Sequence, residues 1–347
     1  MLPAVRGGPG PRKRSAVFYN PAMAADRDLA VAFVGALARV RPAPRTGWEM
    51  LAATGARGLR LVEETGAFGA FVLTEANPEA FRVLSANARG RPGVTVHASD
   101  ARSAVPGGPF DYVDLDPYGT PVPFVRTALD AVATGGVLGV TATDMMVLAG
   151  AQPAACERRY GAHPVRGRLG PEGGLRILLA FLARSADERG RSVRPLFAYV
   201  RGHHVRAYLE LRDGHGIAPV GAIVPETWSG PPLGGGAPVG PLWLGPLFDA
   251  ELVAALEVPR TAARPREVAT FLERVRAEST VDVPFYYEPN TLARATGVLR
   301  PPALASLIEV LAARGYRAGR THARPEGFRT DADRTVVAEV VRALGRG

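Results

Sequence analysis

Across the first two hundred positions, short apolar runs rich in β-branched and aromatic residues alternate with segments of helical spacing. The runs at Gly47–Leu51, Ala70–Thr74, Val94–His97, Phe110–Leu115 and Val137–Thr141 read as strands. Helical periodicity fits the segment after Gly58, then Pro78–Arg89, Val122–Val132 and Gly173–Arg189, where Leu175, Leu178, Leu179 and Leu182 share one face. Asn77 caps the helix that Pro78 opens, since proline suits a first turn whose N–H has no partner. Alternation of this kind predicts an α/β fold, a parallel sheet covered by helices. Two further runs, Pro195–Val200 and Val205–Leu211, lie close enough to form an antiparallel pair at the sheet edge.

The glycine- and proline-rich tract Ser229–Gly240 breaks the rhythm and reads as a loop or domain junction. Beyond it the spacing predicts helices over Asp249–Leu256, Pro265–Ser279 and Pro302–Arg314. It also predicts a strand over Tyr316–Ala323 and a closing helix within Thr330–Gly347. An aromatic cluster, Pro284-Phe285-Tyr286-Tyr287, separates two of those helices, and there is no internal repeat. The expected organisation is a basic flexible arm over 1–15, an α/β ligand-binding domain over 16–228, and a smaller mixed α/β domain over 229–347.

Charge narrows the partner. The net charge is +9, and Lys13 is the only lysine, so the basic character is almost all arginine. That suits a polyanion, although GC-rich coding produces the same skew. Cys156 is the only cysteine, which excludes an internal disulfide and a cysteine-rich zinc site. The apolar stretch Thr134–Ala155 carries Asp144 and several glycines and is no membrane span. The basic start (Arg6, Arg12, Lys13, Arg14) lacks the apolar region of a signal peptide, so a cytoplasmic location without membrane attachment is expected.

The strand over 110–115 ends in Asp116-Pro117-Tyr118-Gly119. An exocyclic amine on a nucleobase is a poor nucleophile because its lone pair is delocalised into the ring. Methylating it requires acceptors for its N–H hydrogens and a face for the base. Asp116 offers a carboxylate, Pro117 leaves a carbonyl that no helix claims, and Tyr118 provides the stacking face. The plain alternative is a strand-to-helix turn in which the aspartate caps the helix.

A nucleotide-type pocket precedes it. Thr54, Gly55 and Arg57 lie in a glycine-containing turn between the first strand and its helix, which lets a ligand approach the backbone. Glu75 ends the second strand about 20 residues after Gly55, where a ribose-binding acid is expected. Asp100, followed by Ala101, ends the third and can accept from an adenine amino group. A nicotinamide dehydrogenase has no use for Asp-Pro-Tyr, whereas an S-adenosylmethionine-dependent methyltransferase uses the whole series.

With these residues in view, the chain resembles the archaeal and eukaryotic tRNA (guanine-26 N2)-dimethyltransferase family along nearly its whole length. The resemblance rests on Val17-Phe18-Tyr19-Asn20-Pro21 with Met23 and Arg27-Asp28, on Ala53-Thr54-Gly55-Ala56-Arg57-Gly58, and on Asp114-Leu115-Asp116-Pro117-Tyr118-Gly119-Thr120-Pro121. It continues through Thr143-Asp144, Arg159-Tyr160-Gly161, Gly174-Leu175-Arg176-Ile177-Leu178, Gly240-Pro241-Leu242-Trp243-Leu244-Gly245, Arg320-Thr321-His322 and Phe328-Arg329-Thr330-Asp331.

The resemblance implies a Rossmann-like class I methyltransferase domain over 16–228 and a tRNA-binding domain over 229–347. It implies S-adenosylmethionine as cofactor, held by Arg27, Thr54, Gly55, Arg57, Glu75, Asp100 and Ala101, with Arg27 and Arg57 meeting its carboxylate or framing the pocket. Asp116, Pro117 and Tyr118 would form the catalytic loop, tyrosine standing where the family often has phenylalanine. The expected activity is methylation of guanine 26 of tRNA, first to mono- and then to dimethylguanine. tRNA is the expected partner, and no obligate protein partner is evident. Phosphate contacts are expected from Arg12 and Arg14 in the arm, and from Arg158, Arg159, Arg166 and Arg168 in what reads as a long loop.

Two departures matter. Many members carry paired cysteines before the Gly-Pro-Leu-Trp block; here there are none, so no metal is expected. Gly202-His203-His204 replaces an aspartate–histidine–tyrosine series, and adjacent strand histidines point to opposite faces. An adenine N6 methyltransferase and a catalytically silent tRNA-binding protein remain as alternatives, since Asp-Pro-Tyr-Gly does not itself specify the base.

Overall fold

The computed structural model describes residues 17–102, 108–233, 237–281 and 283–345. Two compact units are interleaved along the chain. One runs up to Thr141 and adds Tyr208–Gly214 and Ala254–Leu272; the other takes Ala142–Ala207, His215–Val253 and the chain from Glu273 onward.

The first unit is built on α1 (Ala24–Val40), β1 (Thr46–Glu49), α2 (Gly58–Thr65), β2 (Ala70–Thr74), α3 (Pro78–Ala88), β3 (Val94–His97), β4 (Phe110–Leu115), α4 (Val122–Ala131) and β5 (Val132–Ala142). The strands lie in the order β3-β2-β1-β4-β5, all paired in parallel. This is the parallel, helix-covered sheet expected from the alternating pattern, in the Rossmann-like class that the resemblance implied. Asn77 caps α3 through its side-chain oxygen, which accepts from the Glu79 and Ala80 N–H groups. The sheet core is apolar, with Trp48, Phe71, Leu73, Tyr112, Val113 and Leu138 buried.

In the chain that follows come α5 (Met145–Leu148), α6 (Pro153–Tyr160), α7 (Gly170–Asp187), β6 (Arg191–Arg201) and β7 (His204–Asp213). Next are β8 (Val220–Ile223), β9 (Val239–Trp243), α8 (Ala250–Ala255), α9 (Pro265–Ser279), α10 (Pro289–Thr296), α11 (Leu304–Ala313), β10 (Ala318–Arg320), β11 (Phe328–Thr330) and α12 (Arg334–Leu344). The second half of β7, from Tyr208, joins the first unit beside β5, while β6 pairs with β7 across the two-residue link Gly202-His203. The small sheets β8-β9 and β10-β11 are antiparallel. Tyr287, Leu307, Leu311, Phe328, Val337 and Val340 form one apolar cluster near the C-terminus.

One expectation is corrected. The arginine-rich stretch after β5 is not a long loop: Arg158 and Arg159 lie on α6, and Arg168 lies on a 3-10 turn over Gly167–Leu169. Pro153 starts α6, and Gly161 ends it in a left-handed conformation at φ 59°.

Candidate active site

The strand order reverses at β1 and β4, so their C-terminal ends open the crevice where sheets of this kind bind ligands. The turn after β1 is shaped by two left-handed residues, Ala53 at φ 48° and Gly55 at φ 76°. A Cβ on Gly55 would stand 2.7 Å from Leu84 Cδ1, so the turn needs glycine for packing as well as for its dihedrals. Thr54 is buried, and its carbonyl accepts from Asn87 Nδ2 at 2.9 Å.

Glu75 ties this turn to the end of β2. Its two oxygens accept from the Ala53 and Asn77 N–H groups, at 2.8 and 2.7 Å. Each oxygen keeps a lone pair for a hydroxyl donor. Asp100 follows β3, with Ala101 buried beside it. The Arg102 side chain and N–H bind the Asp100 carboxylate and hold its pKa down to about 2. That pair is on the surface and yields readily to a competing donor.

The N-terminus of α2 is engaged from within the protein. Gly58 N–H donates to Glu49 Oε2 at 3.1 Å. Burial, reinforced by the Asp114 charge, pushes the Glu49 carboxyl up to about 8. A dinucleotide's pyrophosphate would need that helix end, which here already has its acceptor. Arg27 is partly buried, with its Nη atoms directed at Asn20 O and Tyr19 Oη, 3.2 and 3.3 Å away. Its pKa is lowered, chiefly by burial, and Arg57 and Arg60 add positive charge nearby. A ligand carboxylate would relieve that repulsion. Acids at two successive strand ends, a close-approach turn and a partly buried cationic corner fit an adenosyl amino acid.

Asp114 and Asp116 differ sharply although they lie two residues apart. Asp114 is fully buried and accepts from Tyr112 Oη at 2.5 Å and Arg57 Nη1 at 2.8 Å. Asp116 keeps 27% of its side chain exposed and is held by Arg57 Nη2 at 2.5 Å. Arg57, itself buried, thus bridges the two carboxylates. Pro117 is buried, whereas Tyr118 is 80% exposed. Phe18, 50% exposed, meets Tyr118 edge-on with ring centroids 6.3 Å apart. The structure therefore gathers Arg57, Asp116, Pro117 and Tyr118 at one strand end, with Glu75 and Asp100 at the ends of neighbouring strands.

Sequence reasoning missed Phe18 and Glu49 as parts of this region. Phe18 lies far from Tyr118 in the chain, and Glu49 reads as an ordinary polar strand terminus. Arg12 and Arg14 lie outside the described residues. Arg158, Arg159, Arg166 and Arg168 are all exposed, in the second unit. Arg159 pairs with Asp144 at 3.2 Å and Arg168 with Glu288 at 2.5 Å. Among the described residues, no cluster of three or more His, Cys, Asp or Glu is placed to hold a metal ion. No described helix is long and apolar enough to cross a membrane.

Comparison with known proteins gives a consistent result. A family profile described as N2,N2-dimethylguanosine tRNA methyltransferase matches residues 11–219 and 236–342. A tRNA (guanine(26)-N(2))-dimethyltransferase of Thermococcus kodakarensis is 37% identical, covering 94% of this chain and 93% of its own. The protein of the same name from Pyrococcus abyssi is 33% identical over 94% of this chain and 92% of its own. Among solved structures, Trm1 from Pyrococcus horikoshii in complex with S-adenosyl-L-methionine superposes with a TM-score of 0.82 at 30% identity, covering 95% of this chain and 96% of that one.

Proposed function

The chain belongs to the N2,N2-dimethylguanosine tRNA methyltransferase family, and we propose that Asp116, Pro117 and Tyr118 form the centre at which it methylates. It is a tRNA (guanine(26)-N(2))-dimethyltransferase that uses S-adenosylmethionine. The guanine specificity of the relatives sets the adenine alternative aside.

S-adenosylmethionine, when bound, supplies an electrophilic methyl group on a sulfonium. In the proposed site, Glu75 receives the ribose hydroxyls, Asp100 accepts from the adenine amino group, and the Ala101 N–H faces a ring nitrogen. The Thr54-Gly55 turn lets the backbone close on the cofactor. Arg27 meets its carboxylate, and Arg57 frames the pocket by holding Asp116 in place.

The target guanine is extruded from the tRNA, at a cost of a few kcal/mol that is smallest where pairing is already loose. Tyr118, with Phe18 beside it, offers an exposed aromatic surface for the base. Asp116 and the Pro117 carbonyl accept the two amino hydrogens, which turns the nitrogen lone pair out of conjugation and toward the methyl donor. The departing proton passes to Asp116 or to water. In the second round the monomethylated amine brings one N–H, so one of the two acceptors faces a methyl group instead.

The observation that carries the assignment is the partly exposed Asp116 carboxylate, fixed by Arg57 beside an exposed aromatic at the topological switch point. Phosphate contacts are assigned to Arg12, Arg14, Arg158, Arg159, Arg166 and Arg168, with the domain over 229–347 gripping the tRNA. The same reading puts the chain where tRNA is, in the cytoplasm, and requires no protein partner.

The test is methyl transfer from labelled cofactor to unmodified tRNA, followed by nucleoside analysis. Wild-type protein should yield N2-methylated guanosine. Asp116→Asn should lose roughly 10²–10⁴-fold in turnover while tRNA affinity is kept. Full activity in that variant, or N6-methyladenosine as the product, would overturn the assignment.

A further inference from the structure

The chain ahead of α1 runs between the places where the two substrates are assigned. Asn20 anchors it. Its side-chain oxygen accepts from the Ala22 N–H at 3.0 Å, and its carbonyl accepts from the Met23 N–H at 3.2 Å. These bonds start the 3-10 turn over Pro21–Met23 that leads into the helix. On the other side of the anchor stand two adjacent aromatic residues that meet different partners. Phe18 is exposed and stands edge-on to Tyr118 of the Asp116–Tyr118 loop. Tyr19 is partly buried and lies against Arg27 of α1. All of these residues belong to the first unit.

Tyr19 holds Arg27 in two ways. The guanidinium carbon is 5.0 Å from the centre of the tyrosine ring, within reach of a cation–π attraction. Nη2 donates to Tyr19 Oη at 3.3 Å, while Nη1 donates to the Asn20 carbonyl at 3.2 Å. Both acceptors are neutral. The neighbouring cations are compensated differently, Arg57 by Asp114 and Asp116, and Arg60 by Asp28 and Glu64. Arg27 therefore sits beside two cations with its own hydrogen bonds spent on uncharged oxygens. A guanidinium has five N–H donors, so it can bind a carboxylate and keep both contacts to the chain. An arriving carboxylate compensates the charge and fixes the guanidinium plane, and with it the ring that lies against that plane.

We propose that Tyr19 is a positioning residue that couples the two substrates: cofactor bound at Arg27 fixes Tyr19, which sets the adjacent Phe18 against Tyr118 to receive the base. The inference rests on the cofactor and base subsites proposed above and adds a link between them. Tyr19 and Phe18 share a peptide bond, so the backbone itself passes the restraint from one ring to the next. A base that stacks on a ring already held does not bear the cost of ordering it. Cofactor thus raises the affinity for tRNA, and tRNA raises the affinity for cofactor by the same factor.

Binding without turnover tests this. Anisotropy of a labelled, unmodified tRNA transcript gives its affinity for the wild-type protein alone, with saturating S-adenosylhomocysteine, and with saturating methylthioadenosine. S-adenosylhomocysteine carries the amino-acid carboxylate and should tighten tRNA binding roughly 5- to 10-fold. Methylthioadenosine keeps the adenosine, lacks the carboxylate, and should change tRNA affinity by less than about 2-fold. Tyr19→Leu removes ring and hydroxyl and should reduce the S-adenosylhomocysteine effect to less than about 2-fold. Tyr19→Phe keeps the ring and should retain most of it. The comparison of the two ligands needs no variant, so it carries the test if Tyr19→Leu misfolds. Equal tRNA affinity with and without S-adenosylhomocysteine, an equal gain from methylthioadenosine, or full coupling in folded Tyr19→Leu overturns the link. Formation of N2-methylguanosine by the wild type would then still stand; absence of that product removes the functional reading and the link together.

Discussion

Arg57 reaches two carboxylates through separate nitrogens, Nη1 to the buried Asp114 and Nη2 to the partly exposed Asp116. A planar guanidinium can do this, whereas a lysine ammonium presents a single point charge on a flexible stem. Arg57→Lys should therefore keep the charge but loosen Asp116. A misplacement of about 1 Å at a reacting group can cost roughly 10²-fold, and a fall of that order in single-turnover methylation is expected, with tRNA affinity retained. An unchanged rate would show that Asp116 needs no such support. The choice of Asp116 over Asp114 was legible in sequence through the neighbouring proline and tyrosine. Their different burial was not, because it depends on β1 pairing beside β4 and on Arg57 reaching across to both carboxylates.

Among the elements, the junction of β1 with α2 carries a pH signature. Glu49 accepts from the first N–H of α2, and burial pushes its carboxyl up from 4.5 to about 8. Between those values the folded chain keeps a proton that the unfolded chain has released, so this group's contribution to stability declines as pH rises. Glu49→Gln retains an acceptor for Gly58 and removes the titration. Between pH 5 and pH 8 the melting temperature of the wild type should fall relative to that of the variant; parallel curves would remove Glu49 as the cause. Element boundaries were legible where the chain alternates cleanly, as in β2, β3 and β4. β5 starts earlier than its apolar run, at Val132, because the Thr134-Gly135-Gly136 interruption is absorbed by a register shift against β4 between Phe110 and Tyr112. α1 escaped notice because Asp28 through Val34 are all buried, which erases the one-sided stripe by which a surface helix is read.

At the scale of the whole molecule, segments far apart in sequence meet in a buried charge network of the second unit. Arg329 Nε binds Glu278 at 2.5 Å and its Nη1 binds Glu172 at 2.9 Å, while Arg176 holds Glu172 at 2.8 Å and His322 Nδ1 lies 2.6 Å from Glu278. Removing one partner strands a buried charge, typically at 3–5 kcal/mol. Arg329→Met should lower stability by about that amount, measured by denaturant unfolding; a change under about 1 kcal/mol, the range of surface pairs, would show that the network is not a structural core. The late Arg320-Thr321-His322 and Phe328-Arg329 blocks acquire a physical reason in these pairs, which their composition alone did not supply. By itself the sequence determined the alternating strands and helices, the ordered acids at strand ends and the acid–proline–aromatic loop, because periodicity, capping and turn chemistry act over a few residues. Only the tertiary structure decided that Arg57 bridges Asp114 and Asp116, that Phe18 meets Tyr118, and that Arg329 bridges Glu172 and Glu278. Those contacts join residues that are distant in the chain, and they exist only once crossover topology and packing have fixed which strand ends and helices are neighbours.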